Sequence, residues 1–214
     1  MNNMNDPKLF EEPCMKGLEK FEQFAQKAPY LRDNTQKHTR KIVESIEDAI
    51  RRSGLKDGGT ISFHHGFREG DKVINMVVGV LAKMGFKNLT LAPSSLMSCN
   101  HPLIEHIKNG VISRIYTSGM RGKLADAISN GLMENPINIH SHGGRVHLIQ
   151  SGEINIDVAF LGVSCCDEFG NANGVTGKSR CGSLGYAMVD AQYAKCVVML
   201  TEDFVPYPNN PASI

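Results

Sequence analysis

The sequence predicts an open, doubly wound α/β fold, a mostly parallel sheet with helices on both faces, preceded by an N-terminal helical arm. Three observations carry this expectation. Short β-rich runs alternate with helical stretches from Thr60 to Leu200, the order that builds parallel sheets through βαβ crossovers. Charge and glycine separate along the chain. Residues 1–57 hold 21 of the 45 Asp, Glu, Lys and Arg residues but only two of the 21 glycines, so a charged helical segment precedes a glycine-punctuated body. Finally, 214 residues with 41% hydrophobic side chains suffice for one substantial core.

In the arm, Leu18, Phe21, Phe24 and Ala28 keep a helical rhythm, and Ile42, Val43, Ile46, Ala49 and Ile50 form a second stripe. Asn34 is expected to cap this second helix and Gly54 to end it in the left-handed region. Such stripes dock on a core. Strands are then expected at Thr60–His64, Leu89–Pro93, Ser113–Thr117, Ile137–Ser141, Ile156–Val163 and Cys196–Leu200. Helices are expected at Asp71–Met84, after Asn100, at Gly122–Asn130, Gly144–Ser151 and Leu184–Ala194. The domain boundaries that follow are an arm over 1–57, an α/β domain over 58–203 and a proline-rich connector over 204–214.

Twenty-three basic against 22 acidic residues give a net charge of +1, no footprint for nucleic acid or an anionic membrane. The six cysteines form no C-x-x-C pair, and the N-terminus lacks a basic and then apolar signal segment, so a cytoplasmic location is expected. No third ligand joins His140 and His142 at metal spacing, so no metal is expected. Cys165 and Cys166 carry no nucleophile signature and are expected to be inert.

In doubly wound sheets ligands bind beyond the carboxyl ends of the strands. Three loops lie there. His64–Asp71 places Gly66 and Gly70 before a helix, where backbone amides favour an anion, with Phe67 and Arg68 between them. Ser141-His142-Gly143-Gly144-Arg145 joins two glycines to a forked cation, suited to a carboxylate, a phosphate or an oxyanion. Its alternative is a glycine turn with Arg145 solvated or paired to an acid. Gly162–Gly174, with Asp167, Gly170 and Asn171, reads as a shaped loop. Arg121 opens another helix, as a ligand cation or a surface arginine. Anionic ligands are expected where these turns and cations share one rim.

Ser141–Arg145, the run Asp157–Gly162 and Cys166–Asn171 resemble the citrate lyase α chain family, within the coenzyme A transferases. The resemblance implies transfer of citrate into acetyl-[acyl-carrier protein], giving citryl-[acyl-carrier protein] and acetate. It implies a separate γ chain that bears a phosphoribosyl-dephospho-coenzyme A arm, a β lyase chain, and a hetero-oligomer. Gly143, Gly144 and Arg145 become candidate oxyanion and substrate contacts. Gly66, Phe67, Arg68, Arg121, Ser141, His142, Asp167, Gly170 and Asn171 become candidates for the substrate and the arm. Family members run to about twice this length, so a catalytic carboxylate is expected in a second half. Citramalate as acceptor, and a non-catalytic anion sensor on the same fold, stay open at this stage.

Overall fold

Alternating strands and helices do build a parallel sheet. The computed structural model describes residues 41–64, 71–209 and 211–214. Its strands are β1 (Thr60–His64), β2 (Leu89–Pro93), β3 (Ile112–Thr117), β4 (Asn138–Ile139), β5 (Val158–Gly162) and β8 (Cys196–Leu200). They pair in the order β4-β3-β2-β1-β5-β8, with every neighbouring pair parallel. The order reverses between β1 and β5, which is where this kind of sheet opens a crevice for ligands.

The helices sort onto two faces. On one face α1 (Ile46–Ser53) packs on α2 (Val73–Lys83), α2 on α3 (Leu103–Lys108), and α3 on α4 (Gly122–Ser129). On the other, α5 (His142–Gln150) packs on α6 (Tyr186–Tyr193), which also touches β1 and β5. The two cores differ. The α1–α4 side buries Ile61, Phe63, Leu89, Leu91, Ile115 and Phe160, with Phe63 and Phe160 stacked at 5.5 Å. The α5–α6 side has no buried aromatic ring among the described residues and mixes alanines, Ala92, Ala159, Ala187 and Ala194, with branched residues such as Ile149, Ile156, Leu161 and Leu184.

Several boundaries move. The second arm helix starts at Ile46, because Ser45 caps it by accepting from Asp48 N at 3.1 Å; Asn34 is not its cap. Gly54 ends it at φ +73°, as expected. Ala49, Ile50 and Leu55 are buried, so this helix belongs to the domain's packing. Asn100 closes a 3-10 turn at Ser98–Asn100, while Pro102 precedes α3. The fourth strand shrinks to two exposed residues on the sheet edge, and α5 begins at His142 rather than Gly144 because Ser141 caps it. The Leu18–Ala28 rhythm, Cys14, and Gly66, Phe67 and Arg68 lie outside the described residues.

The loop after β5 contains an unexpected antiparallel pair, β6 (Cys165–Cys166) and β7 (Ala172–Asn173). The stretch expected to be a connector is laid against it. Cys166 N donates to Asp203 O, Val205 N to Cys166 O, Ser213 N to Ala172 O and Ala172 N to Ile214 O. Proline content suggested a linker, but the backbone donors of Val205 and Ser213, on either side of the prolines, found acceptors on β6 and β7.

Candidate ligand site at the carboxyl rim

The rim loops at 141–145 and 162–174 are each fixed by a polar side chain from their own sequence neighbourhood. At α5 the cap is Ser141, whose hydroxyl accepts from Gly144 N at 3.0 Å. The Gly144 amide is therefore engaged and is not a free oxyanion donor. Gly143 stands in the first helical turn, where amides have no intrahelical acceptor, and a side chain there would meet no atom within 4 Å. Ser141 and His142 are exposed. The His142 ring lies 5.0 Å from Tyr186, which in turn lies 5.9 Å from His64 at the end of β1. His140 is half-buried, and burial, helped by the Arg145 and His142 charges, lowers its pKa against opposing backbone hydrogen bonds.

Arg145 corrects the expectation of an open cation. It is the largest fully buried side chain, at 0% exposure. Its Nη2 donates to Asp190 Oδ1 and Oδ2 at 2.9 and 2.8 Å and to Ser62 Oγ at 2.9 Å. Ser62 Oγ donates in turn to Asp190 Oδ2. Burial pushes the Asp190 carboxyl above its ordinary value, while Arg145 and Ser62 pull it back. Pairing with an acid is the alternative the sequence left open. The acid itself was missed; the available signal was a lone carboxylate at Asp190 on the buried Ala187–Asp190–Ala194 face of α6. Arg121 is exposed at the start of α4.

Asp167, Gly170 and Asn171 do come together, in one turn between β6 and β7. Gly170 takes φ +91° and donates to Asp167 O. The Asp167 carboxylate, 2% exposed, accepts from Phe169 N at 2.9 Å, Asn171 N at 3.1 Å, Asn171 Nδ2 at 2.8 Å and Asn209 N at 3.0 Å. Desolvation alone would raise its pKa; these four donors outweigh it and hold the carboxyl below its usual value. Asp167 thus shapes the loop from within. Cys166 is buried, and desolvation, with Asp167 and Cys165 nearby, pushes its thiol up to about 11, so it is protonated at neutral pH.

The two clusters have separate partners among the described residues. Residues 141–145 gather with His64 and Tyr186, whereas 167–171 gather with Asn209, Phe169 and Tyr207. A groove touches Cys166–Gly170, Asp71 and the flank of β8, but none of 141–145.

These features define a class: a doubly wound α/β domain that presents glycine-bearing turns and a capped helix at its carboxyl rim. The family model for the citrate lyase alpha subunit, CitF, matches residues 39–214, and the chain belongs to that family. It is 69% identical over 198 residues to the citrate lyase alpha chain of Klebsiella pneumoniae, covering 92% of this chain and 39% of that one. It is 70% identical over 175 residues to the Escherichia coli (strain K12) alpha chain, covering 82% and 34%. The chain thus spans well under half the length of these relatives. A crystal structure of a citrate lyase alpha subunit from Streptococcus mutans, in complex with citrate, superposes with a TM-score of 0.84 at 54% identity, covering 87% of this chain and 37% of that one. A Pseudomonas malonate decarboxylase hetero-tetramer shares the fold alone, at a TM-score of 0.50 and 14% identity.

Proposed function

We propose that this chain carries part of the acyl-exchange site of citrate lyase, where citrate replaces acetate on an acyl-carrier protein: acetyl-[acyl-carrier protein] plus citrate gives citryl-[acyl-carrier protein] plus acetate. The observation that carries the proposal is the 54% identical Streptococcus mutans subunit in complex with citrate. The partners in this reading are a β chain that cleaves the citryl thioester and a γ chain that carries the acyl group.

The rim suits a polycarboxylate in three ways. The first turn of α5 is open over Gly143, and a helix N-terminus favours negative charge. Arg121 is an exposed cation on a neighbouring loop. His142 and Tyr186 supply a polar, aromatic wall. The γ chain's phosphoribosyl-dephospho-coenzyme A arm carries phosphates, so Arg121 and the exposed first turn of α5 fit it by charge, and its thioester supplies the acyl group when bound. The chain's own residues bind and orient the attacking carboxylate. Fixing it against a thioester replaces a bimolecular encounter, an effect worth roughly 7–11 kcal/mol at its upper range.

Calorimetric titration with citrate and citramalate, followed by an acetate-release assay with acetylated carrier protein, tests the reading. Citrate should bind at least tenfold more tightly than citramalate, and acetate release should depend on citrate. A chain that binds neither acid and releases no acetate, alone or assembled with its β and γ partners, would sink it.

A further inference from the structure

Ser62, Arg145 and Asp190 are each 0% exposed and stand on three different elements, β1, α5 and α6. They meet through one nitrogen: Arg145 Nη2 contacts both Asp190 oxygens and the Ser62 hydroxyl, while Nε and Nη1 donate to no protein atom among the described residues. A buried ion pair is weak evidence for stability, because a well-packed apolar replacement is often as stable, and its best-attested use is to fix one arrangement over others. The place of this pair suggests what is fixed. Arg145 lies in the first turn of α5, one residue beyond the Gly143-Gly144 pair at the rim. Ser62 lies two residues before the end of β1, beside the reversal in strand order. The buried residues of the α5–α6 face mix alanines, Ala92, Ala159 and Ala187, with larger side chains such as Leu161 and Leu184, and the ionic cluster adds a directional contact to that packing.

We propose that Asp190 is a positioning residue: through Arg145 and Ser62 it holds the first turn of α5 against the end of β1, and thereby sets the affinity of the rim for a tricarboxylate anion. The affinity part rests on the function proposed above; the holding of the turn does not. Asp190 is inside the layer and acts only through Arg145.

Substituting one partner alone would strand a buried charge, so the test replaces both. The Arg145→Met/Asp190→Leu variant keeps the layer filled, and Ser62→Ala removes one hydroxyl should the double variant fail to fold. Two readouts are taken on the full chain: hydrogen–deuterium exchange resolved to peptides, and citrate titration at matched folded fraction. Exchange in a peptide covering 141–150 should rise at least tenfold in the double variant and about threefold in Ser62→Ala, with peptides covering β1 and β2 unchanged. The dissociation constant for citrate should rise at least tenfold and threefold respectively, with melting temperature little altered. Native exchange at 141–150, exchange that rises uniformly through the molecule, or a local rise without weaker binding would each overturn the proposal. If the unsubstituted chain binds no citrate, the functional reading fails and the exchange arm decides the holding of the turn by itself.

Discussion

A carboxylate enclosed by four donors, as at Asp167, is a loop organiser whose influence depends on its charge. Its hydrogen bonds join Phe169, Asn171 and Asn209, and hydrogen bonds to a charged group contribute about 1.5–3 kcal/mol. Asp167→Asn places an amide donor against donors, and should lower stability at pH 7 by roughly 2–3 kcal/mol in urea unfolding. The sign of its pH dependence follows from the lowered folded-state pKa. The contribution is complete above the unfolded value of about 3.9 and is lost as pH falls below that through the folded value. The gap between native and Asp167→Asn unfolding midpoints should therefore close as pH falls below about 4; a constant gap would mean the carboxylate is not the cause. Glycine, acid and amide spacing made this turn legible in the sequence. Asn209 was not legible, because nothing local couples it to a residue 42 positions earlier.

At the scale of elements, the loop from β6 to α6 is held by backbone approaching backbone. Cys181 N and Gly182 N both donate to Gly174 O, at 3.0 and 2.9 Å, and a Cβ at Gly174 would collide with Gly182 O and crowd Cys181 Sγ. Gly174→Ala should cost roughly 3 kcal/mol or more by forcing the two segments apart. Gly79 gives the opposite expectation. It sits inside α2, and a Cβ added there would meet nothing within 4 Å, so Gly79→Ala should stabilise by about 0.5–1 kcal/mol. Thermal unfolding of the two variants checks both signs, and equal shifts would contradict the argument. The helices of the α/β domain were legible among the described residues from apolar runs bounded by glycines, most plainly α2, which buries Ile74, Val77, Val78 and Leu81. Periodicity missed β6 and β7, since two-residue strands have too few positions to show alternation, and it lengthened the fourth strand, whose two paired residues lie on an exposed edge.

For the whole molecule, the fold class was legible because the strands of a parallel sheet read as nearly continuous apolar runs. The site was legible only as loops. Sequence order shows which residues follow a strand, but which of them turn inward is decided by partners on other elements, as Arg145 shows with Asp190. The two faces of the sheet also differ in degree: aromatic and branched side chains fill the α1–α4 face, while the other mixes alanines with branched side chains around one ionic cluster. Opening free energy follows local apolar contact. Amides of α5 and α6 should therefore exchange at least tenfold faster than those of α2, measured by native-state hydrogen exchange, and matching protection on both faces would refute this.

That asymmetry bears on how the protein could respond to what it binds. Where large side chains interlock, sliding one layer over another breaks many contacts together. Where alanines take part of that surface, as on the α5–α6 side, fewer contacts interlock, and here an ionic pair adds to what limits the slip. The displacement this asymmetry favours among the described elements is a shift of α5 and α6 across the sheet, carrying the turn beside His142 with them.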